Sequence, residues 1–143
     1  MITRVTLQRT GCEGTCPVYT VAVEAPGRVH WQGQQFVARL GEHRWQLSPA
    51  QWDALCAAID ARDIHAYVDA YPFDNNSRTC QDDCITTITF ADGREKRIAH
   101  HQGNPAAPRS LTAFEKRLDT LIGTAVYIGI DDERVPWRRK GME

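Results

Sequence analysis

Apolar and polar positions alternate from the start of the chain. Ile2, Val5 and Leu7 fall among threonines, an arginine and a glutamine, so residues 2–9 read as a strand. A loop follows at 11–17, with two glycines that permit tight backbone. Residues 18–25 alternate again, Pro26-Gly27 signals a turn, and 28–32 return as the hairpin partner. Short extended segments are expected at 35–40 and 43–47. The period then lengthens. Ser48-Pro49-Ala50-Gln51 combines a capping serine, a proline at the first helical position and a glutamine placed for a capping box. Trp52, Leu55, Cys56 and Ile59 follow at i, i+3, i+4 and i+7, predicting an amphipathic helix over 49–61.

Beyond it, Ile64, Tyr67, Val68 and Tyr71 are expected to pack, and the polar run at 74–78 marks a loop. Ile85, Ile88 and Phe90 restore the alternation over 84–91. Asp92-Gly93 turns the chain, and 94–100 return as a second hairpin partner. Leu111, Phe114, Leu118, Leu121 and Ile122 share one face of a second helix over 110–122, which Gly123 ends. Residues 125–130 are expected to be a last strand. The fold class is therefore α+β: a mainly antiparallel sheet of six or more strands with two helices on one face. Each half runs cysteine pair, hairpin, helix. That order reads either as an internal ββα pseudo-repeat, which would set the two cysteine pairs side by side, or as coincidence. Residues 1–130 form one domain in this reading, with a charged tail at 131–143.

Composition changes this picture little. The 143 residues carry 17 Lys+Arg against 18 Asp+Glu, a balance that argues against nucleic acid, which calls for a basic excess. No stretch approaches the roughly 20 apolar residues of a membrane-spanning helix, and the N-terminus lacks the apolar core of a signal peptide. As written the chain is expected in the cytoplasm; with a signal removed, it belongs in the periplasm or outside the cell.

The candidate chemistry lies in cysteine. Cys12 and Cys16 form one C-x3-C pair, and Cys80 and Cys84 form another. Four thiolates at this spacing suit a structural zinc ion; disulfides, within each pair or between loops, are the alternative. Thiol redox catalysis is the third reading, and physics disfavours it. Glu13, Asp82 and Asp83 crowd the cysteines and should raise their pKa, whereas a reactive thiolate needs positive surroundings or a helix N-terminus. Cys56, on an apolar helix face, reads as core.

His100 and His101 are adjacent, so in a strand they point to opposite faces and cannot serve one site. Either could be drawn with Asp92 and a cysteine as a catalytic trio, but no nucleophile elbow or phosphate loop supports one. His30, His43 and His65 read as surface residues. Tyr19, Trp31, Phe36 and Trp45 read as sheet core, or as a partner-binding patch if they share a solvent face. The tail at 135–140 is basic around Trp137 and reads as a solvated end, or as a dock for an acidic partner.

The segment Arg9-Thr10-Gly11-Cys12-Glu13-Gly14-Thr15-Cys16-Pro17-Val18-Tyr19 resembles the start of a bacterial family of small domains of unknown function. Its members carry a Cys-x-Gly-Thr-Cys-Pro-x-Tyr signature followed by a glycine-turned hairpin. The likeness continues through Asp83-Cys84-Ile85-Thr86-Thr87, His101-Gln102-Gly103-Asn104-Pro105 and Leu111-x-x-Phe114-Glu115-x-x-Leu118-Asp119. Many relatives look exported or lipid-anchored, which implies a disulfide for the first pair. This chain departs in lacking an export signal and in having the second cysteine pair, where relatives more often show Thr-Asp-x-Pro. The resemblance implies a fold but no activity and no catalytic residues. The functional expectation is a non-enzymatic binding or accessory domain with cysteine-stapled loops and a protein partner; no cofactor is expected beyond zinc in the competing reading.

Overall fold

A computed structural model of the chain describes residues 1–77 and 81–135. The first alternating segment is β1 (Ile2–Arg9), followed by β2 (Val18–Glu24), β3 (Arg28–Gln35) and β4 (Gly41–Gln46). Helix α1 (Pro49–Asp60) comes next, then a two-residue β5 (Ala70–Tyr71), β6 (Asp83–Phe90), β7 (Glu95–His101), α2 (Arg109–Ile122) and a single helical turn, α3 (Ala125–Ile128). The seven strands form one sheet in the order β4-β3-β2-β1-β6-β7-β5, antiparallel except for the β5–β7 pair. The expected α+β class, mainly antiparallel, is what the chain adopts. β1 is central, pairing with β2 on one side and β6 on the other.

Local chemistry explains the elements. Ser48 Oγ accepts from Gln51 N at 3.1 Å while Gln51 Oε1 accepts from Ser48 N at 2.7 Å, so both ends of the capping box close over Pro49 at the start of α1. At the β6–β7 turn Gly93 takes a φ of 86°, and Arg94 N donates to Asp92 Oδ1 at 3.0 Å. The alternation sends Val5, Leu7, Val21, Val23, Val29, Trp31, Ile88 and Ile98 to one face, where they join Trp52, Leu55 and Ile59 of α1 and Leu111, Phe114, Leu118 and Ile122 of α2 in one core. Among the described residues the opposite face, with Thr6, Thr20, His30 and Thr87 on it, carries no helix and meets solvent.

Three expectations are corrected. The segment expected as a strand at 125–130 instead forms a helical turn over 125–128. A short apolar run is ambiguous between the two, and here Gly123 (φ 89°) and Gly129 (φ 75°) bracket it within a single turn. That turn carries Tyr127 onto Trp45, with ring centroids 4.1 Å apart, and toward Trp31. Residues 35–40 are not an extended segment: the chain leaves the sheet at Phe36 (φ 54°) and folds back so that the Arg39 carbonyl accepts from Trp31 Nε1 at 2.8 Å. Gly33 makes this approach possible, since a Cβ there would collide with the Arg39 carbonyl. Val68 is exposed, while Ile64 and Tyr67 beside it are buried. Cys56 is half-buried and packs against the core. Val135 makes an antiparallel bridge to Val37, and Trp137 with the rest of the basic tail lies outside the described residues.

Candidate functional site

Strand register assembles a polar row across the helix-facing side of the sheet. Tyr19 lies opposite Arg9, Arg9 opposite Cys84, Cys84 opposite His100, and His100 opposite Tyr71. Helix α2 crosses this row and presents two carboxylates four residues apart, hence on one face. Glu115 accepts from His100 Nδ1 at 2.8 Å and from Gln102 Nε2 at 3.0 Å. Asp119 accepts from Arg9 at 3.0 Å, from the Tyr19 hydroxyl at 2.7 Å and from the Thr124 hydroxyl at 2.6 Å. Asp82 stands 4.0 Å from Arg9. The ion pairs that dock α2 on the sheet are therefore largely removed from water.

Burial shifts the titration of three groups in this row. It pushes the Tyr19 phenol far above its usual range, and Asp119 adds to the shift. Burial opposes the Arg9 charge, but Cys84, Tyr19 and Asp119 outweigh it and hold that pKa above the ordinary arginine value. The Cys84 thiol is raised well above normal, by burial first and then by Glu115, Asp119 and Asp82, with Arg9 pulling the other way. Cys84, His100 and Glu115 could be drawn as a nucleophile, base and orienting acid. Yet Cys84 and Glu115 have no solvent exposure and His100 has 2 %, so no substrate reaches them. Such a thiol stays protonated.

The sequence-predicted site residues separate accordingly. Cys12 and Cys16 form a disulfide that closes the loop between β1 and β2. Cys84 carries a free, buried thiol, and Cys80 lies outside the described residues. The β1–β6 pairing does bring the two cysteine segments together, since Thr10 N donates to the Asp83 carbonyl at 3.0 Å and Asp83 N to Thr10 Oγ1 at 3.1 Å. Among the described residues no group of three or more His, Cys, Asp or Glu is arranged to hold a metal ion. His101 faces away from His100, bonding Asp83 Oδ1 at 2.8 Å and meeting Phe73 edge-on. Because Asp83 and Cys84 are consecutive in a strand, His101 and Asp83 lie on one side of the sheet and the Cys84 sulfur on the other. They cannot line one cleft. Asp92 pairs with Arg94 at the hairpin tip, far along the strand from His100, so the trio with Asp92 does not form.

Sequence reasoning missed Arg9, Glu115 and Asp119. One signal was available: Glu115 shares the apolar stripe of α2 with Leu111, Phe114, Leu118 and Ile122, and a carboxylate on such a stripe requires a partner.

On the helix-free face, Arg4, Glu24, Arg28, His30 and Arg44 surround a groove of about 490 Å³ floored by Ala22. Arg28 reaches Glu24 at 3.3 Å and His30 reaches Glu42 at 3.2 Å, both pairs exposed.

These features define an α+β domain in which two helices back an antiparallel sheet and a disulfide staples the loop of its first hairpin. The chain belongs to the family Domain of unknown function (DUF6438), whose model matches residues 3–122. It matches no curated protein and no solved structure. Among the described residues, no helix is long and apolar enough to cross a membrane.

Proposed function

We propose that this chain is a binding or accessory domain rather than an enzyme, with the Cys12–Cys16 disulfide as a structural staple. One observation carries the reading. The groups suited to acid-base or thiol chemistry (Arg9, Tyr19, Cys84, His100, Glu115 and Asp119) are engaged with one another or sealed beneath α2, while the opposite sheet face is open. Buried ion pairs of this kind position a helix on a sheet and keep these six groups from a substrate. A disulfide in a surface loop fits an oxidising compartment.

The adjacency of the two cysteine segments favours a second reading, zinc on Cys12, Cys16, Cys80 and Cys84. It requires the disulfide to be reduced and Cys84 to leave the core, where its thiol is held protonated. Intact-mass spectrometry on protein purified without chelator or reductant, in native and then denaturing solvent, separates the two. The staple reading expects a metal-free mass, lower than the fully reduced chain by two hydrogens per disulfide. A zinc increment that vanishes on unfolding would sink it.

A further inference from the structure

The groove on the open sheet face has the composition of an anion site. Ala22, 8 % exposed, is the small residue at its centre. Register places His30 directly across from Ala22 on β3 and Arg44 beyond His30 on β4. Arg28 and Arg4 occupy the diagonal positions on β3 and β1, flanking Glu24. Three arginines and a histidine thus converge from three strands over a floor on the fourth. Arg28 and His30 are paired with Glu24 and Glu42, but exposed pairs of this kind are weak and exchange readily for a ligand. Arg4 and Arg44 have no ion pair among the described residues.

We infer that this groove binds the phosphate ester of a small hydroxylated molecule, with Arg4, Arg28, His30 and Arg44 taking the phosphate and Glu24 accepting from the ligand's hydroxyls. The inference rests on the binding-domain reading and names its face and its ligand class. Guanidinium forks match phosphate oxygens in bidentate geometry. A volume of about 490 Å³ far exceeds bare phosphate and falls in the range of small-molecule sites. The Glu24 carboxylate disfavours an acidic peptide, whose successive charges would meet it, but it suits hydroxyl donors.

The test is a titration of isotopically labelled protein at low salt, followed by amide chemical shifts. The probes are glycerol 3-phosphate, a hexose 6-phosphate, a nucleoside monophosphate, inorganic phosphate, the unphosphorylated hexose and a tetraglutamate peptide. At least one ester should shift the amides of Ala22, His30 and Arg44 saturably, with inorganic phosphate at least about tenfold weaker and the free hexose inert. Arg4→Gln and Arg44→Gln, both at exposed positions that leave folding intact, should each weaken the ester at least about tenfold. Equal affinity for ester and inorganic phosphate, saturable shifts from the peptide alone, shifts confined to other surfaces, or none at all would each overturn it. Peptide shifts on this same face would remove only the ligand class, whereas a zinc increment in the mass measurement removes the stapled-domain reading and leaves this titration unaffected.

Discussion

Thr86 shows how strictly polar groups are accounted for at the scale of one residue. It sits on the buried face of β6, two positions from Cys84, without solvent exposure, and its hydroxyl has no hydrogen-bond partner among the described residues. A buried orphan hydroxyl costs about 1–3 kcal/mol of desolvation. Thr86→Val keeps the branched shape that suits a strand and deletes the orphan, so it should raise unfolding free energy by about 1 kcal/mol in urea titrations. No change, or a loss, would mean that the hydroxyl is satisfied. This orphan was invisible in the sequence, where Thr86 is one of several threonines in an alternating run; only burial distinguishes it from Thr87, which faces the open side. His100 and His101 make the same point differently. Their opposite orientations follow from strand geometry, but which one is buried, and that Glu115 rather than Asp92 meets it, depends on what crosses the sheet.

At the scale of the element, α2 is the informative case. Its apolar stripe and terminating glycine predict its span to within a residue. Its function in the fold comes instead from Glu115 and Asp119, which clamp it to β7, β1 and β2 through His100, Arg9 and Tyr19. Arg9 and Asp119 have side-chain exposures of only 15 % and 16 %. Asp119→Ala would leave the desolvated guanidinium with only the more distant Asp82, 4.0 Å away, which costs about 3 kcal/mol. The expected readout is that loss in chemical unfolding, with Asp119→Asn less damaging because it keeps acceptors for Tyr19 and Thr124. A loss below about 1 kcal/mol for the alanine variant would show that water already solvates the pair. The 125–130 segment failed as a strand for a related reason: its apolar pattern fits either state, and the choice falls to where Tyr127 finds the Trp45 and Trp31 rings.

For the whole molecule, the sealed row sets a pH dependence. The folded-state pKa values of Cys84 and Tyr19 are both raised. Such groups contribute stability that is fully present below their unfolded values, about 8.5 and 10, and is lost as pH rises toward their folded values. Stability should therefore fall from about pH 8.5 upward, with a slope approaching 1.4 kcal/mol per pH unit for each buried group that the unfolded chain ionises and the folded chain does not. Cys84→Ala should flatten the first part of that decline in urea titrations at successive pH values; an unchanged slope would refute the assignment. The sequence by itself determined the strands of both hairpins, the two long helices and the α+β class, because alternation, helical spacing, caps and turn residues act over a few neighbouring positions. The tertiary structure alone decided that β1 is central, that the row from Tyr19 to Tyr71 lines up beneath α2, and that Arg4, His30 and Arg44 gather on the open face. Those pairings join residues far apart in the chain, and their energies depend on burial and register, which exist only once the sheet has closed.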